Sequence, residues 1–506
     1  MVSSPVSQRP AVPLAERQDL MLTPDPGRVI VKLFVPGEDS AVVRTRAHAL
    51  IDRIAELPGD EVEQLLDETV AEFAGRHRDL EDTFRHHFDL VRHRADRVDE
   101  LSPHHRLLVG AFFTHEYAVE AAALCNPSLV AHPDQSGLGA GQLRAAVSVR
   151  QIGEGHLSSI GFVTAVLGPG AELAVTERTG PLVAGDRAEA RHRRDLLAAG
   201  MADEGCDNEV SATLLGALPE HFDDATFEEV ISDLPSDLLS RENALETLEQ
   251  LRRMNAGSYA TEFPADTLLH QRVLWPANAI ESHGMEDARF VRYVGDDGVP
   301  VYQATYTAYD GRAIATRALC TTDLRRFEIE PMRGPGARNK GVALFPRPVA
   351  GRRLALCRTD GETIGLTVLG PDARWREPVP LHGPRRGWEL TQTGNCGSPI
   401  ETDAGWLVLT HGVGAMRRYA IGAILLDLRH PERVVAELPY PLLAPGGNER
   451  EGYVPNVIYS CGGLIHAGRL WLPYGAGDAR VGFATTDVDA LLAAMTPMNR
   501  DLRSAR

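Results

Sequence analysis

The chain is 506 residues long, 43% apolar and 24% charged, enough to bury a large core and to hold more than one domain. Its formal net charge of −18 argues against a nucleic-acid partner, which needs a surplus of Lys and Arg, and leaves room for a local basic site that would draw a small anion. Six cysteines, at 125, 206, 320, 357, 396 and 461, form no CxxC pair, which points to reduced, mostly buried thiols rather than a zinc knuckle or a disulfide framework.

In chain order, residues 1–27 are rich in Pro, Ser and polar side chains and hold no apolar run fit for a signal sequence or a bilayer span. This predicts a disordered tail on a cytoplasmic protein that meets no membrane. From about 41 to 100, apolar residues fall at helical spacing: Ala47, Leu50, Ile51 and Ile54, then Val62, Leu65, Leu66, Val70 and Phe73 beyond Pro58 and Gly59, then Leu80, Phe84, Phe88 and Val91. These stripes predict helix packing and mark 28–120 as a helical N-terminal extension. A second, highly charged helical stretch at 187–255, with Leu245, Leu248 and Leu251 three apart, reads as an insertion.

Elsewhere the period changes. Five segments share one plan of apolar strand, polar turn with Gly, and apolar strand: "AAVSVRQIGEGHLSSIGFVTAV" from Ala145, "VYQATYTAYDGRAIATRAL" from Val301, "RLALCRTDGETIGLTVL" from Arg353, "WLVLTHGVGAMRRYAIGAILL" from Trp406 and "LWLPYGAGDARVGFATT" from Leu470. The last four begin about 50 to 65 residues apart, near the length of a propeller blade, and the insertion fills most of the longer first interval. The expectation is a mainly β chain, a five-bladed β-propeller over 121–492 with a C-terminal tail at 493–506. A sandwich of unrelated hairpins is the alternative.

The first strand of each propeller blade lines a central channel, so polar residues in or after those strands should converge. They are Arg150, Glu154 and His156; Tyr306 and Asp310; Arg358 and Asp360; His411; Tyr474 and Asp478. To these the chain adds "GMEDARF" at 284–290, with Glu286, Asp287 and Arg289, and "RNKG" at 338–341, with Asn339 and Lys340. Carboxylates among hydroxyl and amide groups suit a sugar, whose hydroxyls each want a donor and an acceptor, and a carboxyl can supply the acid for glycosidic cleavage. Arg150, Lys340 and His411 suggest an anion, most simply phosphate. Each has a plainer alternative, such as Arg150 paired with Glu154 or Asp287 with Arg289; joint placement favours a site. "GLGAGQL" at 137–143 lacks the GK[ST] ending of a phosphate loop and reads as an ordinary loop.

With "NPS" at 126–128, "SVRQIGEGH" at 148–156, "GMEDARF", "YTAYDG" at 306–311, "RNKG", "SPIETDAGWLVLTHGVG" at 398–414 and "PYGAGD" at 473–478, in order over about residues 120 to 490, the chain resembles glycoside hydrolase family 130, the β-mannoside phosphorylases and related β-mannosidases. The resemblance implies a five-bladed propeller in which inorganic phosphate cleaves a β-mannoside with inversion to give α-mannose 1-phosphate. It implies Asp287 as general acid, with Glu286 and Arg289 holding it in place. Asn126, Ser128 and Asp478 match positions that hold the mannosyl ring, and Tyr306 and Asp310 join the substrate set. Arg150, Lys340 and His411 match the phosphate set. Some family phosphorylases carry an Asn-Arg pair where this chain reads Asp310, Gly311 and Arg312, and Arg317 is the expected replacement.

No metal or other cofactor is expected; phosphate is a co-substrate, and the partners are a β-mannoside oligosaccharide and phosphate. Two other functions remain open: an inverting β-mannosidase whose water is activated by Glu154 or Glu401, and a sugar-binding propeller without catalysis. The helical extension and insertion lie outside a minimal propeller and should either cover the channel or form an interface in a homo-oligomer.

Overall fold

Five antiparallel hairpins dominate the computed structural model, which describes residues 13–37, 40–94, 98–358 and 360–498. They are Leu143–Ile152 with Ser158–Leu167, Pro300–Tyr309 with Ile314–Thr321, Leu354–Arg358 with Ile364–Val368, Gly405–Gly414 with Arg418–Leu426, and Arg469–Ala476 with Arg480–Asp487. They coincide with the five segments read from the sequence, here called the first to fifth hairpins. The chain is mainly β. Hydrophobic strands form because side chains alternate between faces and both faces are covered; every residue of Gly405–Gly414 is buried.

The first strand of each hairpin also pairs, on its other edge, with segments that precede it: Ala123–Ala131, Gly284–Val294, Ala343–Leu344, Gln392–Asn395 with Ile400–Thr402, and Ile458–Tyr459 with Leu464–His466. The hairpins thus supply second and third strands, not first ones. Five apolar clusters lie between successive hairpins and their flanking strands. Phe162 meets Phe290 and Phe327 between the first and second; Val291, Leu344 and Trp375 lie between the second and third; Phe345, Leu354 and Trp406 between the third and fourth; Leu409, Ile421 and Leu472 between the fourth and fifth; and Leu129, Trp471 and Phe483 between the fifth and first. The order of contacts therefore returns to its start.

Glu16–Leu22 pairs with Arg480–Asp487, from Glu16 opposite Thr485 to Leu22 opposite Val481. This corrects the expected tail at 1–27: its alternating leucines pack on the fifth sheet, with Leu20 and Leu22 against the cluster of Trp471 and Phe483. Residues 1–12 lie outside the described residues, as do 499–506. Of the expected C-terminal tail, Thr496–Pro497 pairs with Val434–Glu437.

The N-terminal extension holds the helices Ser40–Ala55, Gly59–Phe73, Leu80–Val91 and Pro103–Phe112 around Ile51, Val62, Phe88, Leu108 and Phe113. A two-stranded ribbon, Val29–Leu33 with Thr114–Ala118, joins it to the first hairpin. The joint is ionic. Fully buried Glu120 accepts from Arg28 Nε at 2.9 Å, Arg178 Nη1 at 2.7 Å and Gln151 Nε2 at 2.9 Å, so its charge is fully paired. The insertion forms five helices, Arg194–Glu204, Glu209–Ala217, Asp224–Ser232, Ser236–Leu239 and Ala244–Asn255, on their own core of Leu197, Leu214, Phe227, Leu248 and Leu251. Leu245, expected on that stripe, is 75% exposed. Among the described residues no helix is long and apolar enough to cross a membrane. All six cysteines are unpaired, and four of them are buried.

Candidate active site

Three short stretches leave regular β geometry at one end of the sheets. The pairing of Ala123–Ala131 slips between Cys125 and Ser128, and that of Gly284–Val294 slips between Glu286 and Arg289. In each slip one residue takes left-handed backbone angles, Asn126 at φ 49° and Asp287 at φ 60°. A third, Asp478 at φ 47°, sits in the turn of the fifth hairpin beside Gly477. Bulges re-aim a side chain at the cost of backbone strain, and such strain clusters at functional sites. All three residues face the same cavity.

That cavity has a volume of about 260 Å³ and is lined by Asn126, Arg150, Glu286, Asp287, Arg289, Lys340, Gly341, Arg358, Gln392, His411, Arg417, Tyr419, Val457, Tyr459 and Asp478. Asp287 lies at the crossing of its contacts. Asn126 Nδ2 donates to Asp287 Oδ1, Arg150 Nη1 stands 3.6 Å from Oδ1, and Arg289 Nη2 stands 3.8 Å from Oδ2. Arg289 is itself fixed, donating to Cys396 O at 2.9 Å, Asp287 O at 2.7 Å and Tyr459 Oη at 2.8 Å. Glu286 bridges two cations, accepting from Arg150 Nη2 at 2.8 Å and Lys340 Nζ at 2.9 Å.

Burial pushes the Asp287 carboxyl up, but the neighbouring charges of Arg150 and Arg289, the Asn126 hydrogen bond and Lys340 outweigh it and hold the group below its ordinary value. Asp478 goes the other way. Burial and the nearby Asp287 charge push it up to about 6, against the opposing pull of Arg150 and Arg417. Two carboxyls of one cavity are therefore held in different protonation ranges.

His411 is not the cation expected of it. It is fully buried, and burial with the charges of Arg358 and Arg289 drives its basicity well below normal. Arg358 Nη2 lies 2.7 Å from His411 Nε2; a guanidinium only donates, so that nitrogen accepts and the ring is neutral. The charge at this position belongs to Arg358. The ring also packs against Tyr459 at 4.8 Å and Tyr419 at 6.2 Å.

Four expected site residues do not line the cavity. Ser128 is buried below it, where its Oγ accepts from Phe290 N at 3.1 Å and ties two neighbouring strands. Tyr306 points between sheets, donating to buried Glu281. Asp310 is spent on its own turn, accepting from Arg312 N at 2.8 Å and Ala313 N at 2.7 Å. Arg317 is buried and donates to Gly257 O, so it does not supply the phosphate contact expected of it. The second hairpin thus turns these groups to partners of its own surroundings, Glu281 for Tyr306, the turn backbone for Asp310 and Gly257 for Arg317, rather than to the cavity. Of the other hairpin residues, Tyr474 donates to Glu449 at 2.7 Å and Glu154 accepts from Ala118 N at 3.0 Å.

A larger cavity of about 620 Å³ lies further along the same strands, lined by Leu129, Phe290, Val294, Pro346, Ser398, Glu401 and Ile465 among others. Glu401 there pairs with Arg347. Among the described residues no group of three or more His, Cys, Asp or Glu is placed to hold a metal ion.

A family model described as beta-1,4-mannooligosaccharide phosphorylase, that of glycoside hydrolase family 130, matches residues 261–496, which take in Asp287, Lys340, Arg358, His411, Tyr459 and Asp478. A 1,2-beta-oligomannan phosphorylase of Thermoanaerobacter sp. (strain X514) is 30% identical over 212 residues, 41% of this chain and 70% of that protein. The chain belongs to glycoside hydrolase family 130. A beta-1,2-mannobiose phosphorylase of Listeria innocua is 30% identical over 234 residues, 45% of this chain and 64% of that one. The solved structure of a beta-1,2-mannobiose phosphorylase from Listeria innocua with beta-1,2-mannobiose aligns over 74% of this family member and 92% of that chain, at 19% identity and a TM-score of 0.44.

Proposed function

We propose that this family 130 member is an inverting phosphorylase that cleaves β-mannosides with inorganic phosphate, reversibly, to give α-mannose 1-phosphate. The observation that carries the reading is charge. Five cations, Arg150, Arg289, Lys340, Arg358 and Arg417, meet three carboxylates, Glu286, Asp287 and Asp478, in one cavity of a chain whose net charge is −18. A positive cavity in an acidic protein suits a small anion. The closed order of contacts among the five hairpins supports a five-bladed propeller with this cavity at one end of its axis.

In this reading Asp287 is the general acid for the leaving oxygen, and Asn126 and Asp478 hold the mannosyl ring. Lys340 and Arg358, with neutral His411 beside them and Arg150 at the centre, orient phosphate on the face opposite the leaving group. Attack needs no protein nucleophile, and fixed charges stabilise the anion without reorganising. The cations around Asp287 favour its ionised form. A bound phosphate dianion offsets those charges and raises the carboxyl toward its acid form, so the co-substrate itself prepares the acid. No metal or cofactor enters the scheme. The hydrolytic alternative loses ground because Glu154 and Glu401, the bases named for it, do not line the cavity.

The test incubates the protein with β-1,2- and β-1,4-mannobiose, with and without phosphate. α-Mannose 1-phosphate should form only with phosphate, and Asp287→Asn should lower turnover by about a hundred- to ten-thousand-fold while mannoside still binds. Mannose release at the same rate without phosphate would refute the reading.

A further inference from the structure

Three of the hairpin turns repeat one four-residue plan: Gly153-Glu154-Gly155-His156 in the first, Gly414-Ala415-Met416-Arg417 in the fourth and Gly475-Ala476-Gly477-Asp478 in the fifth. In each, the third and fourth residues both take left-handed backbone angles: φ 62° and 62° for Gly155 and His156, 58° and 53° for Met416 and Arg417, 62° and 47° for Gly477 and Asp478. The fourth residue is polar every time. Arg417 and Asp478 line the cavity; His156 holds the equivalent place in the turn of the first hairpin, outside that lining.

His156 does not stand alone there. Its Nδ1 lies 3.0 Å from Tyr453 Oη and the ring centroids are 5.7 Å apart, yet His156 is exposed and Tyr453 is 50% exposed. Tyr453 is anchored next to the ring-binding side: Val454 N donates to Gly477 O at 2.8 Å, beside Asp478. His156 is anchored next to Arg150, whose Nε donates to Ser158 Oγ at 2.9 Å. The ribbon of the N-terminal extension fixes the loop from behind, with Tyr117 Oη donating to Glu154 O at 2.6 Å and Ala118 N donating to Glu154 Oε1 at 3.0 Å. Two exposed, mutually bonded aromatic rings, tilted 43° to each other, offer an angled apolar surface with polar edges on which a pyranose can pack.

We infer that His156 and Tyr453 form the subsite for the leaving saccharide, held in shape by the N-terminal extension. The inference rests on the phosphorylase reading and adds the side of approach. Lys340, Arg358 and His411 come from or just before the third and fourth hairpins, whereas His156 and Tyr453 flank the first and fifth. In-line displacement puts the nucleophile and the leaving group on opposite faces of the anomeric carbon. With phosphate among the former, the departing sugar lies against the latter.

The test compares β-mannobiose, of whichever linkage the wild type turns over, with β-mannosyl fluoride, whose leaving group is too small to reach the subsite. His156→Ala and Tyr453→Ala should each raise KM for mannobiose about tenfold and leave the kinetics of the fluoride within about twofold. Tyr453→Phe, which keeps the ring and removes only the hydroxyl, should show the same selectivity with a smaller rise. Equal effects on both substrates, or none on mannobiose, overturn the inference. A wild type that needs no phosphate would refute the phosphorylase reading alone, since the two substrates still differ only in their leaving group.

Discussion

Replacing Lys340 by Met tests whether the positive charge of the cavity is used on phosphate. The ammonium lies 2.9 Å from Glu286 and the side chain is 40% exposed, so its field is both shared and partly screened by water. At about 4 Å, an ammonium and a phosphate dianion attract by about 2 kcal/mol in a fully aqueous dielectric and about 8 kcal/mol at an effective dielectric near 20. Exposure and the Glu286 partner place Lys340 near the weak end, at about 2 to 3 kcal/mol. That is roughly a 30- to 150-fold rise in KM for phosphate, since each 1.4 kcal/mol is tenfold. The assay is initial-rate phosphorolysis over a grid of phosphate and mannobiose concentrations at fixed ionic strength. KM for mannobiose should stay near wild type, and the gap in phosphate KM should narrow as salt is raised. A phosphate KM within threefold of wild type, or an equal rise in both constants, would refute the assignment.

Asp478→Asn should stabilise the fold at neutral and alkaline pH while lowering activity. The native carboxyl sits at about 6 against an ordinary 3.8, so the folded state holds the proton more tightly than the unfolded one. The resulting penalty is fully present above pH 6, about 2 to 3 kcal/mol, and fades as pH falls toward 4, which melting curves at pH 8 and pH 4 would read. Phosphate binding near neutral pH should take up protons, measured by calorimetry in two buffers of unlike ionisation heat. The protein's part of the uptake should fall in Asp287→Asn to the share of Asp478, and an unchanged value would remove the proposed coupling.

The sequence carried the five hairpins because each is a continuous apolar run broken by a short polar turn. It carried Asn126, Arg150, Glu286, Asp287, Arg289, Lys340, His411 and Asp478, all of which the fold brings to one cavity. It hid the strands that precede the hairpins, since Gln392–Asn395 and Ile458–Tyr459 are too short and too mixed to show a period. Tyr306 and Arg317 were misplaced for another reason, since their partners Glu281 and Gly257 lie outside the hairpin and left no mark in its pattern. Arg358 was visible as a channel residue, but its contact with His411, and hence the neutrality of that ring, depends on two strands far apart in the chain. Tyr419 and Tyr459 gave no signal of their own. Arg417 could have been found from the spacing it shares with Asp478.

The pairing of Glu16–Leu22 with Arg480–Asp487 joins segments very far apart in the sequence. During synthesis the early strand must wait until Arg480–Asp487 has been made, since among the described residues that is the strand it pairs with. Closing so long a loop is slow, and an unsatisfied strand edge is open to the wrong neighbour meanwhile. The hairpin it completes is also the one that carries Asp478. Assembly of the cavity and pairing of these two distant strands are thus one late event, so a nascent or truncated chain lacking that event would hold formed sheets and an unfinished site.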